Sequence, residues 1–190
     1  MQISEKSYIC YPVSQIIRIK DKEFKPYIST SNISLAVAAV AEQINQELKN
    51  EDVVFLAVLN GSFMFASDLM KQIQLPCTIS FIKLASYHGT SSSGTVNELV
   101  GLTEDLTDKT VVIIEDIVDT GNTLEKLTLI LNQKKVKQIK VATLLFKPDA
   151  YKKNYPVHYA GMKIKNEFVV GYGLDYDGFG RNLKEIYVIV

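Results

Sequence analysis

Val111, Val112, Ile113 and Ile114 form an unbroken run of branched apolar residues, followed at once by Glu115 and Asp116. Such a run reads as a β-strand buried on both faces, the pattern of a parallel sheet covered by helices. A buried strand cannot cheaply hold two unpaired carboxylates. The two acids are therefore expected to end the strand, at 111–115, where it opens to solvent. A short polar loop follows, Asp119-Thr120-Gly121-Asn122-Thr123, and an apolar helical pattern begins at Leu124.

The rest of the chain repeats this strand–loop–helix order. Residues 53–59 read as a second buried strand, Asn60, Gly61 and Ser62 as a turn, and 63–73 as a helix. Residues 78–84 and 140–146 read as strands and 124–133 as a helix, with short terminal strands at 157–160, 168–173 and 186–190. Ile33, Val37, Val40, Ile44 and Leu48 recur at helical spacing behind capping residues at 29–32, which predicts an amphipathic helix. Residues 1–27 contain Pro12 and Pro26 and read as an irregular segment with a strand near 15–19. Residues 86–97 are rich in Ser, Gly and Thr and read as a mobile loop. Alternating strands and helices predict one α/β domain over residues 1–190, a mostly parallel sheet flanked by helices. Ligands of such sheets bind beyond the carboxyl ends of the strands. Asn60-Gly61, Glu115-Asp116, Lys147 and Asp175 all fall at those ends, so they are expected to converge on one crevice.

Composition narrows the partners. The 190 residues carry 21 Lys and Arg against 21 Asp and Glu, so no global basic field attracts nucleic acid. A phosphate ligand must then be held by local groups. Cys10 and Cys77 fit no metal or redox spacing and read as reduced thiols. The apolar runs are too short to span a bilayer, and the first residues lack the layout of a signal peptide. A cytoplasmic protein that binds neither nucleic acid nor membrane is expected.

The loop and the acids carry chemistry. Gly121 permits a turn that larger residues resist, and N–H groups at the start of the following helix favour an anion. The Thr120 and Thr123 hydroxyls add donors. The plain alternative is an ordinary strand-to-helix loop with Thr123 as N-cap. Glu115 and Asp116 offer the hard oxygens that Mg²⁺ takes; the alternative for them is a solvated acidic turn, which the preceding apolar run argues against. Together these features describe a site for a metal-bound sugar phosphate.

Residues 111–123 resemble the phosphoribosyl-pyrophosphate signature of the type I phosphoribosyltransferases. Val58-Leu59-Asn60-Gly61-Ser62-Phe63, Phe81-Ile82-Lys83-Leu84-Ala85-Ser86-Tyr87, Leu144-Leu145-Phe146-Lys147 and Phe168-Val169-Val170-Gly171-Tyr172-Gly173-Leu174-Asp175-Tyr176 resemble, in the same order, the hypoxanthine-guanine branch of that family. The resemblance runs from about residue 53 to the C-terminus.

The resemblance implies the type I core with a small hood formed by terminal segments. It also implies Mg²⁺-dependent transfer of 5-phosphoribosyl from phosphoribosyl pyrophosphate to N9 of a 6-oxopurine. Thr120, Gly121, Asn122, Thr123 and the N–H of Asp119 would cradle the 5-phosphate. Glu115 and Asp116 would face the ribose hydroxyls and their metal, and Asp119 would act as general base near the purine N7. Leu59, Asn60 and Gly61 would form the pyrophosphate loop, whose first peptide bond is often cis in the family. Lys is usual where this chain has Asn60, so a positive charge near the leaving group is missing. Arg181 would meet the pyrophosphate, and Asp175 would bind a second Mg²⁺. Lys147 would contact the oxygen at purine C6, against the ordinary fate of a solvated lysine. Phe168 would stack on the base, against plain core packing, with the backbones of Val169 and Val170 at its edge. Ser86 and Tyr87 would open a lid that excludes water. His88 and His158 receive no catalytic role. Gly171 and Gly173 make half a dinucleotide fingerprint, and with no helix following, that reading fails. A homodimer or homotetramer is implied. A xanthine-preferring enzyme and a non-catalytic regulator that senses phosphoribosyl pyrophosphate remain as alternatives.

Overall fold

A computed structural model describes residues 16–84, 98–100 and 104–190. Strands β1 (Ile17–Ile19) and β2 (Lys22–Ile28) form a hairpin, and helix α1 (Thr30–Glu47) follows. Ser29 caps α1, its Oγ accepting the Asn32 N–H at 3.3 Å, as the capping residues led one to expect. Then come β3 (Val53–Val58), α2 (Phe63–Met70), β4 (Cys77–Leu84), β5 (Glu98–Val100) and β6 (Thr110–Val118). The chain ends with α3 (Asn122–Gln133), β7 (Gln138–Phe146), β8 (Tyr159–Lys163), β9 (Val169–Val170) and β10 (Ile186–Ile189).

The main sheet has the order β5-β4-β3-β6-β7-β8. All its pairs are parallel except the edge pair β4–β5. Every residue of β3 is buried, and Val111 to Ile114 are buried too, as expected for strands covered on both faces. One apolar core lies between this sheet and α1 and α2, built from Val37, Val40, Ile44, Phe55, Phe65 and Leu69 among others. A second lies under α3, with Val54, Leu56, Ile113, Leu124, Leu127 and Leu131. Burying each such side chain stabilises by about 1.5–3 kcal/mol. The hood is a separate antiparallel sheet, β1-β2-β10-β9. Ile28, Val169, Leu174, Ile186 and Val188 of the hood join the α1–α2 core, which fixes the hood against the main sheet.

Several expectations are corrected. Residues 22–28 are not irregular; they form β2, with Phe24 and Ile28 buried. Pro26 is tolerated there because β1 pairs only with residues 22–24, and the β10 pairing carries an irregularity between Ile186 and Tyr187. The strand expected at 157–160 is β8, at Tyr159–Lys163, and only Val169 and Val170 of 168–173 are strand. Glu115 and Asp116 do not end their strand: β6 runs on to Val118. Gln15, Ser86, Tyr87 and His88, with the loop expected at 86–97, lie outside the described residues. No helix among the described residues is long and apolar enough to cross a membrane.

His158 has a structural task. Its Nδ1 accepts the Val141 N–H at 3.1 Å, joining the start of β7 to the segment before β8. Burial holds the imidazole below its usual pKa of 6.5, as does the Lys140 ammonium, while Glu47 opposes them. Protonation would block the Nδ1 acceptor. A depressed folded pKa gives stability that is present above the unfolded value and lost as pH falls toward the folded one. His158→Leu should therefore show a smaller fall in Tm than wild type between neutral pH and pH about 5.5. Parallel Tm–pH curves would contradict this.

Candidate active site

β6 outruns its neighbour. Its pairing with β3 stops at Ala57↔Ile114, whereas its pairing with β7 continues through Glu115↔Thr143 and Ile117↔Leu145 to Val118↔Phe146. The two acids thus lie within a strand, at the point where one side of it has lost its β3 partner. Glu115 is only 6% exposed, and Asp116 is partly buried. Burial pushes the Glu115 carboxyl well above its usual pKa, and the neighbouring Asp116 adds to the effect. Burial raises Asp116 to about 6, with Asp175 also raising it, while backbone N–H groups and Arg181 oppose. The Asp116 Oδ1 accepts the Ile117 N–H at 2.9 Å.

The turn after β3 closes on this acid. The Leu59–Asn60 peptide, whose conformation the sequence leaves open, is cis. The Leu59 N–H donates to Ile82 O at 2.8 Å, and the buried Ser62 Oγ–H donates to Val58 O at 2.7 Å. A methyl group placed on Gly61 would land on the Asp116 carboxylate. From the other side the turn after β9 presses in. Gly173 has φ +100°, and a methyl group there would land on the Gly61 carbonyl. Tyr172 anchors that turn to α2, its hydroxyl donating to Asp68 Oδ2 at 2.7 Å.

Arg181 and Asp175 sit beside this contact. The Arg181 guanidinium donates to Gly173 O at 2.7 Å and pairs with Asp175 Oδ1 at 2.6 Å. Asp175 Oδ2 also accepts the Gly178 N–H. The residue expected to bind a metal and the residue expected to bind pyrophosphate are thus each other's partner.

At the end of β6, Gly121 has φ +83° and starts α3 two residues before the expected position; it, not Thr123, is the N-cap. No side chain caps that end, so the first N–H groups of the helix remain available to an anion. Glu115, Asp119, Thr120, Gly121, Asn122 and Thr123 help line a pocket of about 90 Å³. Asp119 Oδ2 accepts from Lys147 Nζ at 2.8 Å. Lys147 is 7% exposed, which excludes the solvated lysine, and its own N–H donates to Val118 O. Phe168 is 47% exposed rather than a core residue, set against Phe24 at 6.3 Å and edge-on to Tyr176 at 5.9 Å. Val169 and Val170 behind it are buried.

Sequence reading missed Tyr172, Gly173 and Tyr176 as parts of this assembly, and also Tyr151 and Lys153, which pack against Gly121. The adjacent family motif was a signal for the first three; nothing in the pattern pointed to the last two. Among the described residues, no three His, Cys, Asp or Glu side chains gather closely enough to hold a metal ion unaided. The acids still offer the oxygens Mg²⁺ takes, and that ion keeps waters and ligand oxygens in its shell. The donor set fits an ion that arrives with an anionic ligand.

The raised pKa of Asp116 has a consequence for stability. A carboxyl whose pKa rises from 3.8 to about 6 on folding contributes stability at low pH that is lost as pH rises through 6. Asp116→Asn keeps the acceptor for Ile117 and removes the charge. It should raise Tm at pH about 8, by a stabilisation on the order of 1–2 kcal/mol, with the gain shrinking toward pH about 5. A Tm difference that does not change with pH would contradict this.

Comparison with known proteins agrees with this geometry. The phosphoribosyl transferase domain model matches residues 27–177. The chain is 44% identical over 144 residues to a hypoxanthine-guanine phosphoribosyltransferase of Staphylococcus epidermidis, covering 75% of this chain and 80% of the relative. It is similar to the crystal structure of a hypoxanthine phosphoribosyltransferase from Staphylococcus aureus, with TM-score 0.81, 38% identity, and 87% and 91% of the two chains covered. A hypoxanthine-guanine phosphoribosyltransferase structure from Bacillus anthracis gives TM-score 0.80 at 38% identity, covering 93% and 99%. The chain therefore belongs to the phosphoribosyl transferase family, on its hypoxanthine-guanine phosphoribosyltransferase branch.

Proposed function

We propose that the chain salvages purines, moving 5-phosphoribosyl from phosphoribosyl pyrophosphate to N9 of hypoxanthine and guanine to give IMP or GMP and pyrophosphate. One observation carries this reading furthest. The buried Lys147 meets the half-exposed Asp119 at 2.8 Å beside the uncapped start of α3. A lysine rarely stays buried without a task. Here it and its carboxylate partner stand where a base would lie next to a phosphate-bound sugar.

In this reading the 5-phosphate rests on the loop at 119–123, and Glu115 and Asp116 face the ribose hydroxyls. Leu59, Asn60, Gly61 and Arg181 bind the pyrophosphate. As the N9–C1 bond forms and the C1–oxygen bond to pyrophosphate breaks, Asp119 takes the proton from N7. Lys147 donates to the oxygen at C6, and Phe168 stacks on the ring with the backbones of Val169 and Val170 at its edge. Glu115, Asp116 and Asp175 would hold Mg²⁺, which supplies charge neutralisation for the pyrophosphate. Asp175 would then exchange its Arg181 partner for the ion, freeing the guanidinium for the leaving group. Ser86 and Tyr87 form the lid. The whole of residues 1–190 acts as one domain in the cytoplasm, as a homodimer or homotetramer. Exposed Ile79 and Phe81 on β4 support assembly with further copies.

Lys147 also explains base choice. An ammonium donates to the C6 oxygen but meets another donor at the amino group of adenine. Initial rates with hypoxanthine, guanine, xanthine and adenine test the proposal in one series. Wild type should use the first two and reject adenine; Lys147→Gln, whose amide can also accept, should lower the hypoxanthine-to-adenine ratio about tenfold or more. Tight binding of phosphoribosyl pyrophosphate without turnover of any base would instead favour a regulator, and xanthine as best substrate would reassign the base.

A further inference from the structure

The segment after β7 lies along the phosphate loop and clips it at both ends. Lys147 Nζ pairs with Asp119 at 2.8 Å, where the loop begins. Lys153 Nζ pairs with Glu125 at 2.7 Å, in the first turn of α3 just after the loop ends. Between them Tyr151 and Lys153 press on Gly121. A methyl group there would lie 2.5 Å from Tyr151 Cε2 and 2.8 Å from Lys153 Cγ. Tyr151 is itself fixed: its hydroxyl donates to Tyr155 O at 2.6 Å, and its ring sits edge-on to Phe146 at 5.5 Å.

Glu125 poses an electrostatic problem. An acid in the first turn suits the positive end of an empty helix, but it repels a phosphate bound at that same end. The Glu125 N–H donates to Gly121 O at 3.0 Å, so this acid sits within one helical turn of the loop. Lys153 brings the compensating charge. Its stem covers Gly121, and its ammonium is held by Glu125.

We propose that Lys153, held over Gly121 by Glu125, is a specificity-determining residue for the 5-phosphate: its ammonium offsets Glu125 and makes the loop selective for a dianionic sugar phosphate. The proposal rests on the reading that residues 119–123 bind the 5-phosphate. Lys153 acts here through its charge rather than as a strut. The two roles predict opposite things for Glu125. If charge matters, removing Glu125 helps phosphate; if the bridge is a brace, removing either partner harms binding alike.

Initial-rate kinetics of wild type, Lys153→Met, Lys153→Arg and Glu125→Gln, with each substrate varied at low and at high KCl, separates these. Lys153→Met should raise the KM for phosphoribosyl pyrophosphate about 3–10-fold, with a smaller change in kcat and in the KM for hypoxanthine. Its KM should also depend less on salt than that of wild type. Lys153→Arg should restore most of the loss, and Glu125→Gln should lower the KM for phosphoribosyl pyrophosphate. Equal increases in Lys153→Met and Glu125→Gln, or an unchanged salt dependence in Lys153→Met, would overturn the proposal while wild-type turnover leaves the parent reading intact. Failure of wild type to bind phosphoribosyl pyrophosphate would overturn both.

Discussion

Gly61 is squeezed from two sides, and the site depends on that squeeze. On one side lies the Asp116 carboxylate, on the other the backbone of Gly173, and neither leaves room for a single methyl group. Three segments more than fifty residues apart in sequence meet there: the turn after β3, the extended end of β6, and the turn after β9. The contact joins the main sheet to the hood where both carry polar groups. Arg181 holds the Gly173 carbonyl, Asp175 holds Arg181, and Tyr172 ties the same turn to Asp68 of α2. Close packing of this kind transmits position, since interiors have few soft voids to absorb a shift.

The same geometry explains why acids occupy a buried strand. β6 continues past the last pairing with β3, so Glu115 and Asp116 keep strand geometry but lose a neighbour on one side. Their carboxyls are pushed toward the protonated form by burial. A cation beside them would reverse that push by favouring the charged form. The buried acids and the uncapped start of α3 are two halves of one arrangement, each suited to part of a metal-bearing sugar phosphate.

How much of this could be read from the sequence followed from what sequence patterns record. Runs such as 53–58 and 111–114 report burial on both faces, and burial on both faces implies a helix-covered parallel sheet; that inference held. Spacing in α1 and its Ser29 cap were equally legible. The charges and Pro26 in β2 hid a strand in which proline is acceptable because β1 stops pairing at Phe24 and leaves one side of Pro26 without a strand neighbour. Charge at 115–116 reads as a strand stop, whereas the missing β3 neighbour, a tertiary fact, allows charge inside the strand. The meeting of Lys147 with Asp119 and of Lys153 with Glu125 leaves no periodic trace at all, since each pair spans 28 residues and two elements. Resemblance named Lys147 and Asp119 separately; only the fold shows that they are partners.

We infer that the Gly61–Gly173 contact positions the turn proposed to bind pyrophosphate. Gly173→Ala tests it most directly, because it adds one methyl group where φ is +100° and the Gly61 carbonyl already fills the space. The expected result is a folded protein with modestly lowered Tm and a kcat/KM for phosphoribosyl pyrophosphate at least about tenfold below wild type, a loss of about 1.4 kcal/mol or more. A folded Gly173→Ala protein with wild-type kcat/KM would contradict it.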